Sequence, residues 1–163
     1  MNEKILFVDD EPNVLHSIQR QLHKRFDIAI AEGADEALRV LRDDGPFAVI
    51  VSDMRMPKMS GIELLTRVKN MYPETVRLML TGNADQETAM EAVNNGQIFR
   101  FLTKPCSTED FASAIQSGFD QYRMITTERE LLHGTLSGCV EILTDVLGLL
   151  NPEAFGRASR IRR

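Results

Sequence analysis

Phe47-Ala48-Val49-Ile50-Val51-Ser52-Asp53 decides the fold. Six uncharged residues, rich in β-formers, end abruptly at a carboxylate. Such a run reads as a strand buried on both faces, the kind found in the middle of a parallel sheet. On either side the same punctuation recurs. Lys4-Ile5-Leu6-Phe7-Val8 stops at Asp9-Asp10-Glu11-Pro12, and Ile28-Ala29-Ile30-Ala31 precedes Gly33. Val76-Arg77-Leu78-Met79-Leu80 stops at Thr81-Gly82, and Ile98-Phe99-Arg100-Phe101-Leu102 stops at Thr103-Lys104-Pro105. Between these runs apolar residues return at helical spacing: Val14, Leu15, Ile18 and Leu22; Ala37, Leu38 and Leu41; Ile62, Leu65 and Val68; Ala89, Met90 and Val93. A long helical region opens at Thr108-Glu109-Asp110. Five strand–helix pairs in about 120 residues predict an α/β fold: a doubly wound, five-stranded parallel sheet with helices on both faces.

Composition agrees with this reading and excludes others. The 163 residues suffice for one domain and a remainder, and 43% hydrophobic with 26% charged residues rules out disorder and fibrous repeats. No apolar run approaches the roughly 20 residues of a spanning helix, and the start meets acid too early for a secretory signal. Cys106 and Cys139 form no C-x-x-C, which fits a reducing cytoplasm. His16, His23 and His133 have no third ligand at metal-site spacing and read as surface residues. Residues 1–123 hold 14 Lys and Arg against 19 Asp and Glu, whereas residues 124–163 hold five of each. That shift places the end of the sheet domain near residue 123. The net charge of −5 gives no reason to expect a phosphate-backbone binder, so neither nucleic acid nor membrane is an expected partner of this chain.

In a doubly wound sheet the working site lies beyond the carboxyl ends of the strands. The residues just past those ends are Asp9, Asp10, Asp53, Thr81 and Lys104. Three carboxylates crowded on one rim need a counter-charge. A hard divalent cation that keeps several waters, Mg²⁺, supplies it. Metal, ammonium and hydroxyl together suit phosphoryl transfer, where a protein positions groups and neutralises oxygens. No G-x-x-x-x-G-K-[ST] cradle is present, so a nucleotide is not the obvious donor. A carboxylate can itself be the nucleophile, and Asp53, at the end of the most apolar strand, is the best candidate.

These residues carry a resemblance. Asp9-Asp10, Val51-Ser52-Asp53-Met54-Arg55-Met56-Pro57, Gly61, Thr81 and Lys104-Pro105 make residues 1–123 similar to the receiver domain of two-component response regulators. The resemblance implies a flavodoxin-like strand order 2-1-3-4-5 and a cis Lys104–Pro105 bond. It implies that Asp53 accepts phosphoryl from a sensor histidine kinase or phosphotransfer protein. The Mg²⁺ ligands would come from Asp9, Asp10, Asp53 and the backbone carbonyl of Arg55. Lys104 would pair with the phosphoryl group, Thr81 would swing in to hydrogen-bond it, and Phe101 would occupy the aromatic switch position without the hydroxyl of a tyrosine. Arg55 and Asn83, two residues after Asp53 and Thr81, fall where the family tunes phosphoryl lifetime. A rival reading is a metal-dependent phosphohydrolase of the haloacid-dehalogenase kind, which also forms an aspartyl-phosphate. It wants a D-x-D nucleophile on the first strand, and Asp9-Asp10-Glu11 is not one.

Past residue 123 the pattern changes. Ile115, Tyr122, Arg129, Leu136, Leu143 and Leu150 fall at sevens, with Ile125, Leu132, Cys139 and Val146 three later. This stripe predicts a linker or signalling helix over 124–150 and a homodimer through it. Gly134 and Gly138 mark a place for a break. Asn151-Pro152-Glu153 reads as the cap and first turn of a new helix, so 151–163 is expected to begin an output domain cut short at Arg163. Phe99 to Pro105 and Leu149 to Arg157 carry a resemblance to the junction with HD or HD-GYP-type output domains, although the chain contains no His-Asp dipeptide and no Gly-Tyr-Pro.

Overall fold

The computed structural model describes residues 3–150. The chain divides into two compact units, one through Met124 and a second from Ile125. In the first, five strands alternate with helices: β1 (Lys4–Asp9), α1 (Pro12–Leu22), β2 (Asp27–Glu32), α2 (Ala34–Asp44), β3 (Val49–Asp53), α3 (Gly61–Met71), β4 (Val76–Thr81), a 3-10 turn (Asn83–Asp85), α4 (Gln86–Asn94) and β5 (Arg100–Thr103). The last helix, α5 (Thr108–Leu150), starts in this unit. All strand pairs are parallel, in the order β2-β1-β3-β4-β5.

The helix starts follow local chemistry. Pro12 stands at the opening of α1, where its missing N–H costs nothing. The Ser60 side chain accepts from Glu63 N at 3.2 Å and caps α3. Gly33 takes φ +92° before α2, a conformation that side chains disfavour.

The alternation of side chains along each strand builds two cores. Leu6, Val8, Ile50 and Met79 pack with Ala37 and Leu41 of α2, Leu64, Leu65 and Val68 of α3, and Ala89 and Ala92 of α4. The opposite face meets α5. The Phe7 and Phe111 ring centroids lie 5.3 Å apart, and Gly118 lets the helix backbone close on Val49 and Leu78. Val49, Ile50 and Val51 are wholly buried, as a central strand covered on both faces requires. Each such side chain contributes about 1.5–3 kcal/mol, so this sandwich sets the position of every strand end.

Two strand starts differ from expectation. The 47–52 run becomes regular strand at Val49: Ala48 already donates to Lys4 O and accepts from Val76 N, both at 2.9 Å, whereas the Phe47 carbonyl is taken by the Thr75 hydroxyl at 2.8 Å. The 98–102 run begins at Arg100, because Ile98 N donates back to Ala92 O at the end of α4. Both displaced apolar residues, Phe47 and Ile98, are nevertheless buried. Of the two forms open to the stretch, one long helix or a pair broken near Gly134 and Gly138, the structure takes the first: α5 runs unbroken to Leu150. The helix start expected at Asn151–Pro152 lies outside the described residues. Among those described, no helix is long and apolar enough to cross a membrane.

Candidate functional site

Strand register gathers the site. Val8 pairs with Ser52, so Asp9 and Asp53 emerge side by side from β1 and β3. Asp53 pairs with Leu80, one residue before Thr81, and Thr81 pairs with Thr103, one residue before Lys104. The Lys104 N–H donates to Thr81 O at 2.8 Å and locks the end of β5 to that of β4. The Lys104–Pro105 bond is cis. Gly61 N donates to Met54 O at 2.8 Å, which pins the start of α3 against the residue after Asp53.

Oxygens of Asp9, Asp10 and Asp53 lie within 4.8 Å of one another. Lys104 Nζ stands 2.9 Å from Asp53 Oδ1 and 3.9 Å from Asp9 Oδ2. Asp9 and Asp53 are only 3% and 8% exposed. Asp9 Oδ1 accepts from Glu11 N at 3.0 Å, but buried Asp9 Oδ2 has no hydrogen-bond partner. An orphaned buried carboxylate oxygen is costly. Around it stand two more acids and the Lys104 ammonium, which at 3.9 Å is beyond hydrogen-bond reach, so the donor set fits a hard cation with oxygen ligands. Two ligands on one Mg²⁺ are at most about 4.2 Å apart, which small side-chain rotations reach from this arrangement.

Burial pushes the Asp9 carboxyl from its ordinary 3.8 up to about 6. The Asp53 charge adds to the rise, while the Glu11 N–H and the Lys104 ammonium oppose it. A carboxyl whose pKa is higher folded than unfolded keeps more protons in the folded state, so its contribution to stability falls as pH rises from 3.8 towards about 6. The first prediction follows. In chelator, the thermal midpoint of the protein relative to Asp9→Asn should drop across that interval, and Mg²⁺ should restore it at pH 7. Parallel melting profiles for the two proteins would contradict this.

Thr81 is fully buried, and its hydroxyl donates to Gly82 O at 3.1 Å. Phe101 is half-buried beside the core on the α2–α4 side. The Arg55 guanidinium forks onto Asp85, with Nε to Oδ2 at 2.7 Å and Nη2 to Oδ1 at 2.9 Å. Sequence reasoning did not single out Asp85. An acid just before a helix is a recognisable cap signal, but nothing in the sequence names a partner 30 residues away. The loop between β3 and α3 also carries a γ-turn: Met59 N donates to Pro57 O at 2.7 Å around Lys58, whose φ is +68°. A non-glycine residue there is strained.

Residues 5–116 match the family model of the response regulator receiver domain. A crystal structure described as adenylate cyclase from Rhodopirellula baltica superposes with TM-score 0.80 at 47% identity, covering 82% of this chain and 98% of that one. The signal receiver domain of an HD domain-containing protein from Pseudomonas fluorescens Pf-5 gives TM-score 0.70 at 29% identity, covering 76% and 99%. The hydrogenase transcriptional regulatory protein HoxA of Cupriavidus necator is 37% identical over 101 residues, which is 62% of this chain and 21% of HoxA. The chain spans between 21% and 31% of the length of such curated relatives.

Proposed function

Because this chain belongs to the response regulator receiver domain family, we propose that Asp53 is its phosphoryl acceptor. The observation that carries the reading is the Asp53 carboxylate held by Lys104 at 2.9 Å beside Asp9 and Asp10. A phosphohistidine of a sensor histidine kinase or phosphotransfer protein is the donor. An Asp53 carboxylate oxygen attacks phosphorus, the phosphorus–nitrogen bond breaks, and the departing imidazole takes up a proton. The product is an acyl phosphate. Asp9, Asp10, Asp53 and the Arg55 backbone carbonyl would hold Mg²⁺, which would neutralise charge on the phosphoryl oxygens. Lys104 stays on the phosphoryl group as a second cation. Thr81 exchanges its bond to Gly82 O for one to a phosphoryl oxygen, and Phe101 follows inward.

Residues 1–123 act as the receiver and 124–150 as a signalling helix that leads into an output region from 151, in the cytoplasm. A second copy is the natural occupant of the row formed by Leu132, Leu136, Leu143 and Val146, all exposed in the single chain. Relatives of different output share the receiver portion, which supports phosphoryl acceptance rather than turnover as the common activity. Nothing in the family match supports the phosphohydrolase alternative.

The test uses acetyl phosphate with Mg²⁺ and intact-mass measurement. One phosphoryl group per chain is expected, not formed when chelator is present from the start and absent from Asp53→Asn. Equal labelling of Asp53→Asn would overturn the reading.

A further inference from the structure

The Arg55–Asp85 fork joins two loops of the rim. Arg55 lies between β3 and α3, whereas Asp85 ends the 3-10 turn and immediately precedes α4. Asp85 occupies the N-cap position of α4, for which aspartate is among the preferred residues. Its side chain makes no capping hydrogen bond. Both of its oxygens are taken by Arg55, which holds its carboxyl below the ordinary range. Asp85 thus has two competing uses, and the structure records one of them.

Charge counting says when the other becomes available. On the reading of Asp53 as acceptor, on which this inference rests, phosphorylation puts roughly −2 on that side chain. Asp9 and Asp10 bring two further negative charges. Mg²⁺ and Lys104 return three positive ones, so one negative charge is left over. Arg55 is two residues from Asp53 and lies largely in solvent, with 74% of its side chain exposed. Turning it therefore costs little packing. Its planar fork suits a phosphoryl group as well as a carboxylate.

We propose that the Arg55–Asp85 pair is a latch. Before phosphorylation Asp85 withholds Arg55 from the acceptor site and ties the start of α4 to the loop after β3. The phosphoryl group takes Arg55, and the released Asp85 caps α4. Asp85 is accordingly a positioning residue that acts through Arg55.

Beryllofluoride with Mg²⁺, titrated into the full chain, tests this in a double-mutant cycle. Asp85→Ala should tighten binding about threefold, the scale of one exposed ion pair, and the gain should vanish in the Arg55→Ala background. Amide exchange supplies an independent readout. Exchange at Glu87 and Thr88 should slow in unliganded Arg55→Ala, as it should in the beryllofluoride-bound wild type, because the freed Asp85 now accepts from those amides. Unchanged affinity in Asp85→Ala, an equal gain in both backgrounds, or unchanged exchange at Glu87 and Thr88 would each overturn the latch while leaving the acceptor intact. If the wild type binds beryllofluoride no better than Asp53→Asn does, the acceptor reading fails, and the latch with it.

Discussion

Gly61→Ala is expected to cripple both the stability and the phosphoryl acceptance of this domain. A Cβ on Gly61 would collide with the Asp53 carbonyl oxygen and sit 3.0 Å from the Asp53 carbonyl carbon and 3.1 Å from Met54 Cα. All three are backbone atoms, so no side chain can rotate away. The start of α3 or the end of β3 must move by about an ångström, and β3 is locked between β1 and β4. Overpacking of this kind costs about 1–3 kcal/mol. That corresponds to a fall of about 5–15 °C in the thermal midpoint for a domain of this size. The same shift displaces Asp53 relative to Asp9 and Lys104. An ångström of misplacement at a reacting group can cost about a hundredfold in rate, and acetyl phosphate labelling should slow on that scale. Gly82→Ala is the control. It meets no atom within 4 Å and has an ordinary φ of −80°, so its midpoint should barely move. Equal behaviour of the two variants would contradict the close approach of α3 to the acceptor strand.

Lys104→Ala should weaken beryllofluoride binding by tenfold or more. The ammonium is 2.9 Å from Asp53 Oδ1, where it can follow the carboxylate into the phosphoryl state. Charge-assisted bonds to a phosphoryl oxygen are about twice as strong as neutral ones, and the variant also leaves three carboxylates without their lysine. The second consequence has a definite sign. Lys104 opposes the rise in the Asp9 pKa, so its removal should push that pKa higher and carry the pH-dependent loss of stability further towards neutrality. Isothermal titration and melting curves across pH measure the two effects. Unchanged affinity would remove Lys104 from the phosphoryl site.

The layout of this site was legible because each functional group follows an apolar run. Asp9, Asp53, Thr81 and Lys104 are placed by strand ends, and parallel pairing then brings the ends together whatever the details of the helices. Burial was legible further than hydrogen bonding. Phe47 and Ile98 are core residues as their character demands, yet their backbone groups bond to Thr75 and Ala92 rather than into a ladder. Hydrophobic pattern reports which side chain is inside, and it says little about which amide finds which carbonyl. Gly134 and Gly138 leave α5 unbroken for an energetic reason: glycine costs up to about 1 kcal/mol against alanine, too little to interrupt a helix that is regular on both sides. The Arg55–Asp85 fork was illegible because both residues lie on loops. Arg55 sits in the irregular stretch after β3 and Asp85 in the 3-10 turn before α4, neither of which has a periodic signal.

The phosphoryl group is expected to reside on Asp53 and nowhere else. Borohydride reduction of the acetyl phosphate-treated protein converts an acyl phosphate to an alcohol, so the phosphorylated aspartate becomes homoserine and releases phosphate. Peptide sequencing by mass spectrometry then reads the position. Homoserine at residue 53 alone, dependent on Mg²⁺, is the result expected here; homoserine at residue 9 or 10, or none at residue 53 in protein that has gained a phosphoryl group, would contradict it.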